Sequence, residues 1–198
     1  MELSVVRHTR LEIDAGRCYG QSEIALADSY ETELAALRLR LSLPYERVYS
    51  SPLQRCTRLA NEFGDAINID ERLLEYDFGD WEMRRWDDID SAELDAWMQD
   101  FVNRRVPNGE NLVQMYARID GFLQELRGQD LQRCLIVTHA GVIRCLWACL
   151  LQIPLAQIFK LEVGYGEVFN CRLAKNPDED LVRAINQPLD SGKSTGMN

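Results

Sequence analysis

The chain lacks any apolar stretch approaching the ~18 to 20 residues that a membrane helix requires. Its first residues also lack the pattern of a signal peptide, because Glu2, Arg7 and His8 surround only four weakly apolar side chains. An excess of basic charge is missing too. The formal net charge is -10, the reverse of the basic face that a general nucleic-acid binder presents. A small anionic ligand is not excluded on that ground, since only the local field of a site acts on it. The six cysteines, Cys18, Cys56, Cys134, Cys145, Cys149 and Cys171, include no CxxC pair. Several lie in core-like runs, so they read as reduced thiols of a cytoplasmic protein rather than as a disulfide framework. There is no internal repeat and no low-complexity segment. What is present is 198 residues, 46% hydrophobic and 9% aromatic, enough for one folded domain with a sizeable core, with or without an insertion.

Only two histidines occur, and both stand where a buried strand would end. Arg7-His8-Thr9 follows the apolar run Leu3-Ser4-Val5-Val6. Thr138-His139-Ala140-Gly141 follows Cys134-Leu135-Ile136-Val137 and precedes a helical pattern. In open α/β sheets ligands bind beyond the carboxyl ends of strands, where loops and helix N-termini converge. Two strand-end histidines 131 residues apart are therefore expected to form one site.

The rest of the chain alternates strand and helix signals. After a strand over 2–7 and a loop containing Gly16 and Gly20, Asp28 with Glu31 predicts a capping box. It would open a helix with Leu34, Leu37 and Leu41 on one face and Pro44 at its end. Arg47 to Ser50 reads as a strand, and Ser51-Pro52 as the start of a helix that buries Leu53, Cys56, Leu59, Ala60 and Phe63. Ile67-Asn68-Ile69 is a third strand, and the alternation predicts a mainly parallel sheet covered on both faces. Composition then shifts. Residues 75–105 carry ten acids against four arginines, net -6, together with Trp81, Trp86 and Trp97, and no β-rich run follows until Leu135. About 75–110 is read as an inserted helical cap, its tryptophans more naturally cap core than a stacking platform. A helix from about Asn111 to Leu126 carries Leu112, Met115, Ile119, Phe122 and Leu126 on one stripe. Past the His139 strand, Val142, Ile143, Leu146 and Leu150 form a buried helix stopped before Pro154. Glu167–Leu173 and Leu181–Ile185 close the sheet around a turn at Asn176-Pro177-Asp178, and Ser191–Asn198 reads as a mobile tail.

Four segments in order, Arg7-His8-Thr9, Ser50 to Arg55, Leu74 to Glu82 and Thr138 to Gly141, resemble the histidine phosphatase superfamily in its phosphoglycerate-mutase-like branch. The resemblance runs to about residue 186. Within that branch, Gly16-Arg17-Cys18-Tyr19-Gly20-Gln21 is similar to the segment after the first histidine in α-ribazole phosphatases of cobalamin biosynthesis. It implies a three-layer α/β/α sandwich and a metal-independent phosphomonoesterase without a cofactor. His8 matches the nucleophile that becomes a phosphohistidine. Arg7, Arg55 and His139 match the phosphate pocket, where guanidinium forks suit phosphate oxygens and a protonated His139 would add charge. Glu75 matches the acid that protonates the leaving alkoxide and then activates water, with Glu82 as its competitor. Arg58, one turn after Arg55, competes for the phosphate role. Cys18, Tyr19 and Gly20 are the candidate substrate-binding residues, and Arg144 reads as a structural ion-pair partner.

Three departures from the family pattern bear on the leaving-group side. Glu23-Ile24-Ala25-Leu26 lacks the usual proline, Met83 stands where glycine commonly follows the Trp-Glu pair, and Asn111 replaces serine. The partner implied is a small phosphorylated substrate, with no nucleic acid and no membrane. A monomer and a dimer are both left open. The acidic cap suggests a neutral or weakly cationic leaving group, such as the nucleoside of α-ribazole 5'-phosphate. A broad-specificity phosphatase of sugar phosphates and other small esters is the alternative within the enzyme class, and a catalytically silent phospholigand-binding protein the alternative outside it.

Overall fold

A computed structural model describes residues 1–41 and 44–183. The predicted tail, Ser191–Asn198, and the end of the last predicted strand, Ile185, lie outside the described residues. Among the described residues six strands form one open sheet: β1 (Glu2–Arg7), β2 (Arg47–Ser50), β3 (Ile67–Ile69), β4 (Arg133–Thr138), β5 (Val168–Arg172) and β6 (Leu181–Val182), in the order β3-β2-β4-β1-β5-β6. The β3-β2, β2-β4 and β4-β1 pairs are parallel, and β5 and β6 extend the sheet antiparallel. The mainly parallel sheet read from the alternation is thus present, with an antiparallel edge.

The sheet's two faces follow from the period-2 geometry of its strands. Leu3, Val5, Cys134 and Ile136 enter one apolar cluster, while Val6, Val48, Leu135 and Val137 enter the other. The second face is covered by α1 (Tyr30–Arg40) and α2 (Gln54–Ala60). The first is covered by α4 (Leu112–Arg127) and α5 (Ala140–Leu151), whose strands and helices give the three layers. The stripe Leu112, Met115, Ile119, Phe122 and Leu126 is buried as its spacing predicts, each such side chain contributing about 1.5–3 kcal/mol. Between β3 and α4 lie α3 (Ser91–Gln99) and short 3-10 turns at Glu71–Leu73, Gly79–Trp81 and Trp86–Asp88. Among the described residues no helix is long and apolar enough to cross a membrane.

Two helix starts differ from expectation. α1 begins at Tyr30 after Ser29, and the Ser29 hydroxyl bonds the Glu33 carboxylate instead of a backbone N–H. Asp28 is therefore one position too early, and its box with Glu31 does not form. α2 is shorter than predicted because Leu53, in extended conformation, is its cap. Asn111, by contrast, caps α4 in a full capping box with Gln114.

Candidate active site

His8 lies one residue past the end of β1, and His139 one residue past the end of β4. The strands are adjacent and in register, with Arg7 opposite Thr138, and the His8 N–H donates to the Thr138 carbonyl at 3.0 Å. Sheet register alone therefore brings the two imidazoles together, their centroids 5.2 Å apart and both rings buried.

Their tautomers follow from their partners. His8 Nδ1 lies 2.8 Å from the Thr9 carbonyl oxygen, which only accepts. Nδ1 thus carries the proton and Nε2 keeps a free lone pair. Burial, reinforced by Arg55 and Arg7, pushes this imidazole well below its ordinary range, against the Thr9 hydrogen bond. His139 Nδ1 accepts from Arg55 Nε at 3.3 Å, which leaves Nε2 to donate to the Ser51 hydroxyl at 2.8 Å. Burial, His8, Arg55 and Arg7 hold His139 well below its ordinary range as well. The expected imidazolium is thus not favoured by the protein's own groups. A dianion beside it is what would supply the opposing charge.

Arg7 and Arg55 complete a cationic floor. Arg7 donates through Nη1 to the Val163 carbonyl at 2.7 Å, its guanidinium carbon lies 3.8 Å from the Tyr165 ring centroid, and its buried Nε has no partner. Arg55 is 1% exposed, a charge that a protein buries only for a reason. It donates to the carbonyls of Ser22, at 2.7 Å, and Gly20. Arg58, by contrast, is exposed and paired with Glu31 at 3.6 Å over the Tyr30 ring.

The carboxylates separate just as clearly. Glu75 sits at the N-terminus of α5, where Oε2 accepts from Gly141 N–H at 3.0 Å and Oε1 from Tyr76 N–H at 3.0 Å. A Cβ at Gly141 would stand 2.3 Å from Glu75 Oε1, so only glycine lets the carboxyl approach. Glu82 is consumed by the backbone. It accepts from the N–H groups of Gly20, Gln21, Ser22 and Phe78 at 2.9–3.2 Å, and from the Ser22 hydroxyl at 2.6 Å.

Beside Glu75 lies a cavity of about 150 Å³. Its cap wall is Tyr76, Phe78, Trp97 and Phe101, and its far wall Leu112, Met115, Ile158 and Phe159. Tyr19, Gly141 and Arg144 complete it, so Glu75 and Arg144 are the charged groups on its surface. The acids that made the cap look acidic, Asp80, Asp87, Asp88, Asp90, Asp95 and Asp100, are exposed to solvent. The cap therefore presents aromatics inward, and its composition says nothing of the leaving group's charge.

Of the residues expected to bind substrate, Tyr19 lines the cavity, and its hydroxyl meets that of Tyr165 at 2.6 Å. Burial and that hydrogen bond raise the Tyr19 phenol, keeping it a donor. Gly20 serves through its carbonyl on Arg55. Cys18 is a correction: it is fully buried in the core, and its backbone pairs with Met83 and Arg84. Arg144 is another, since among the described residues it makes no ion pair and instead faces the cavity. Asn111, the departure from serine, serves as the cap of α4.

Tyr165 and Arg118 escape sequence reasoning. The Tyr165 ring lies 5.6 Å from that of His8, yet Gly164-Tyr165-Gly166 carries no periodic signal, only flanking glycines. Arg118 donates to the carbonyls of Arg72, Leu74 and Glu75 at 2.6–3.1 Å and is fixed by Glu110 at 2.7 Å. It holds the segment that carries Glu75, through contacts that only the tertiary fold creates.

Paired strand-end histidines on a floor of two arginines, with a carboxylate at the next helix N-terminus, match what the chain's sequence shows as a whole. Residues 3–185 fit the family profile of the histidine phosphatase superfamily (branch 1), and the chain belongs to that superfamily. Among its relatives, the adenosylcobalamin/alpha-ribazole phosphatase of Salmonella typhimurium is 31% identical over 84% of this chain and 87% of its own length. The phosphoserine phosphatase 1 of Hydrogenobacter thermophilus is 27% identical over 80% of each. The solved alpha-ribazole phosphatase from Shigella flexneri, 26% identical, superposes with a TM-score of 0.83 over 94% of this chain and 96% of that one.

Proposed function

We propose that the protein hydrolyses α-ribazole 5'-phosphate through a phosphohistidine, without a metal. The observation that carries this reading is the aromatic-walled cavity opening at Glu75. It offers a flat apolar base a place on the side where a leaving alcohol departs, and relatives bearing that substrate's name share the whole fold.

Neutral His8 attacks phosphorus through Nε2 as the bond to the leaving oxygen breaks, and Glu75 gives that oxygen a proton. Arg7, Arg55 and His139 stabilise charge on the non-bridging oxygens. Glu75 then takes a proton from water as its oxygen attacks phosphorus, and inorganic phosphate leaves with His8 restored. The Thr9 hydrogen bond keeps Nε2 directed at phosphorus in both halves.

The test is phosphate release, with EDTA present, from α-ribazole 5'-phosphate, phosphoserine, 3-phosphoglycerate, sugar phosphates and p-nitrophenyl phosphate. A kcat/KM at least tenfold higher on α-ribazole 5'-phosphate supports the proposal. Similar slow rates on every ester replace it with a broad small-ester phosphatase. Turnover that survives His8→Ala removes the mechanism, and no release at all favours a silent phospholigand-binding protein.

A further inference from the structure

Arg144 is a half-buried cation without a carboxylate. Its Nε donates to the Leu161 carbonyl at 2.9 Å, its guanidinium carbon lies 5.6 Å from the Phe159 ring centroid, and among the described residues no acid lies within salt-bridge distance. Arg55 is held by the Gly20 and Ser22 carbonyls, Glu75 by two backbone N–H groups, and Arg7, like Arg144, by one carbonyl and one ring, those of Val163 and Tyr165; of the three cations Arg144 is the one that lines the cavity. Arg144 projects from α5 one turn after Gly141, so it stands on the same wall of the cavity as the carboxyl that handles the leaving oxygen.

A partly desolvated guanidinium with unclaimed donors gains most from an acceptor brought by the ligand. The surrounding wall is aromatic and aliphatic, which limits where that acceptor can sit. We propose that Arg144 determines specificity by hydrogen-bonding the alcohol portion of the substrate, selecting phosphate esters whose leaving group joins a flat apolar surface to a neutral or anionic acceptor and rejecting cationic ones. This deepens the phosphatase reading and rests on it. The nucleoside of α-ribazole 5'-phosphate satisfies both halves through its base and its ribose oxygens, and an aromatic ester bearing a carboxylate satisfies them more strongly. The cavity of about 150 Å³ is small beside the ~300–1,000 Å³ of drug-sized sites, so one ring system with its acceptor fills it.

Binding separates this claim from turnover. In the His8→Ala protein, calorimetry should find 3-carboxyphenyl phosphate bound about tenfold or more tightly than phenyl phosphate, and a 3-trimethylammonio derivative more weakly than either. Adding Arg144→Met should bring the carboxyl preference to unity or below, because Glu75 then faces the carboxylate alone. Arg144→Lys should restore part of it and guards against a folding defect in the methionine variant. Equal affinities for the three esters in the His8→Ala protein, or a preference that survives Arg144→Met, overturns the inference. Failure of the unaltered enzyme to prefer α-ribazole 5'-phosphate in turnover, with the binding preference intact, would reject that substrate and leave Arg144 as the residue that reads the alcohol.

Discussion

Glu82 and Arg55 grip the same three-residue loop from opposite sides. The carboxylate collects the N–H groups of Gly20, Gln21 and Ser22, and the guanidinium collects the carbonyls of Gly20 and Ser22. The loop is too tight for substitution at Gly20, whose added Cβ would lie 1.8 Å from the Tyr76 carbonyl oxygen. Glu82 thus positions the loop that holds Arg55, without touching Arg55 itself.

Two glutamate variants should therefore fail differently. Glu82→Gln places an amide NH2 among backbone donors and is expected to lose about 1–3 kcal/mol of stability. It should raise KM about tenfold on every ester, whatever the leaving group. Glu75→Gln should instead lower kcat at least a hundredfold on esters with poor leaving groups and far less on p-nitrophenyl phosphate, whose departure needs little protonation. Parallel losses from the two variants across the ester panel would reject this division.

Gly141→Ala sets a methyl 2.3 Å from Glu75 Oε1 and 3.0 Å from Met115 Cε. The carboxyl must shift, so the variant should mimic Glu75→Gln in its dependence on leaving group while keeping a near-normal melting temperature. A variant with full activity on α-ribazole 5'-phosphate would remove Glu75 from the acid role.

Stability should fall as pH drops below neutrality. His8 and His139 are held below their ordinary range when folded, so below about pH 6.5 the unfolded chain binds protons that the folded chain refuses. Each histidine then costs up to about 1.4 kcal/mol per pH unit. Denaturant midpoints measured from pH 7.5 to 5.5 should decline, and His8→Ala should make the decline shallower. Identical slopes in the two proteins would show that His8 is not buried as the neutral form.

Met83 adopts a φ of 64°, a region costing a non-glycine residue about 1–2 kcal/mol. The glycine that the resemblance implies at this position would have that physical reason. Met83→Gly should stabilise the protein by about 0.5–1 kcal/mol after the greater unfolded-state entropy of glycine is subtracted. Thermal unfolding of the variant checks it, and a lowered melting temperature would mean that the half-exposed methionine packs more than its position suggests.

Much of this site was legible in sequence because sheet geometry made it so. Apolar runs marked β1 and β4, and once those strands neighbour one another, His8 and His139 must meet. Ser51-Pro52 placed Arg55 near a helix start, although α2 itself begins only at Gln54, and burial is what separates Arg55 from the exposed Arg58. What stayed hidden depends on contacts between distant segments. The role of Glu82 is set by a loop sixty residues earlier, Arg118 reaches back to the segment before Glu75, and Tyr165 stacks on Arg7 from a glycine-flanked turn. Composition misled once: counting the cap's ten acids did not tell that six of them are exposed to solvent away from the cavity.

Because the His8 N–H is tied to Thr138 at the carboxyl ends of two central strands, its exchange with solvent should track the opening of the whole sheet. The cavity's aromatic wall hangs on 3-10 turns and one short helix outside that sheet, where local opening is cheaper. Replacements there can accumulate without loosening the floor of histidines and arginines. A lineage with this architecture can remodel that wall while His8 and His139 stay fixed in place.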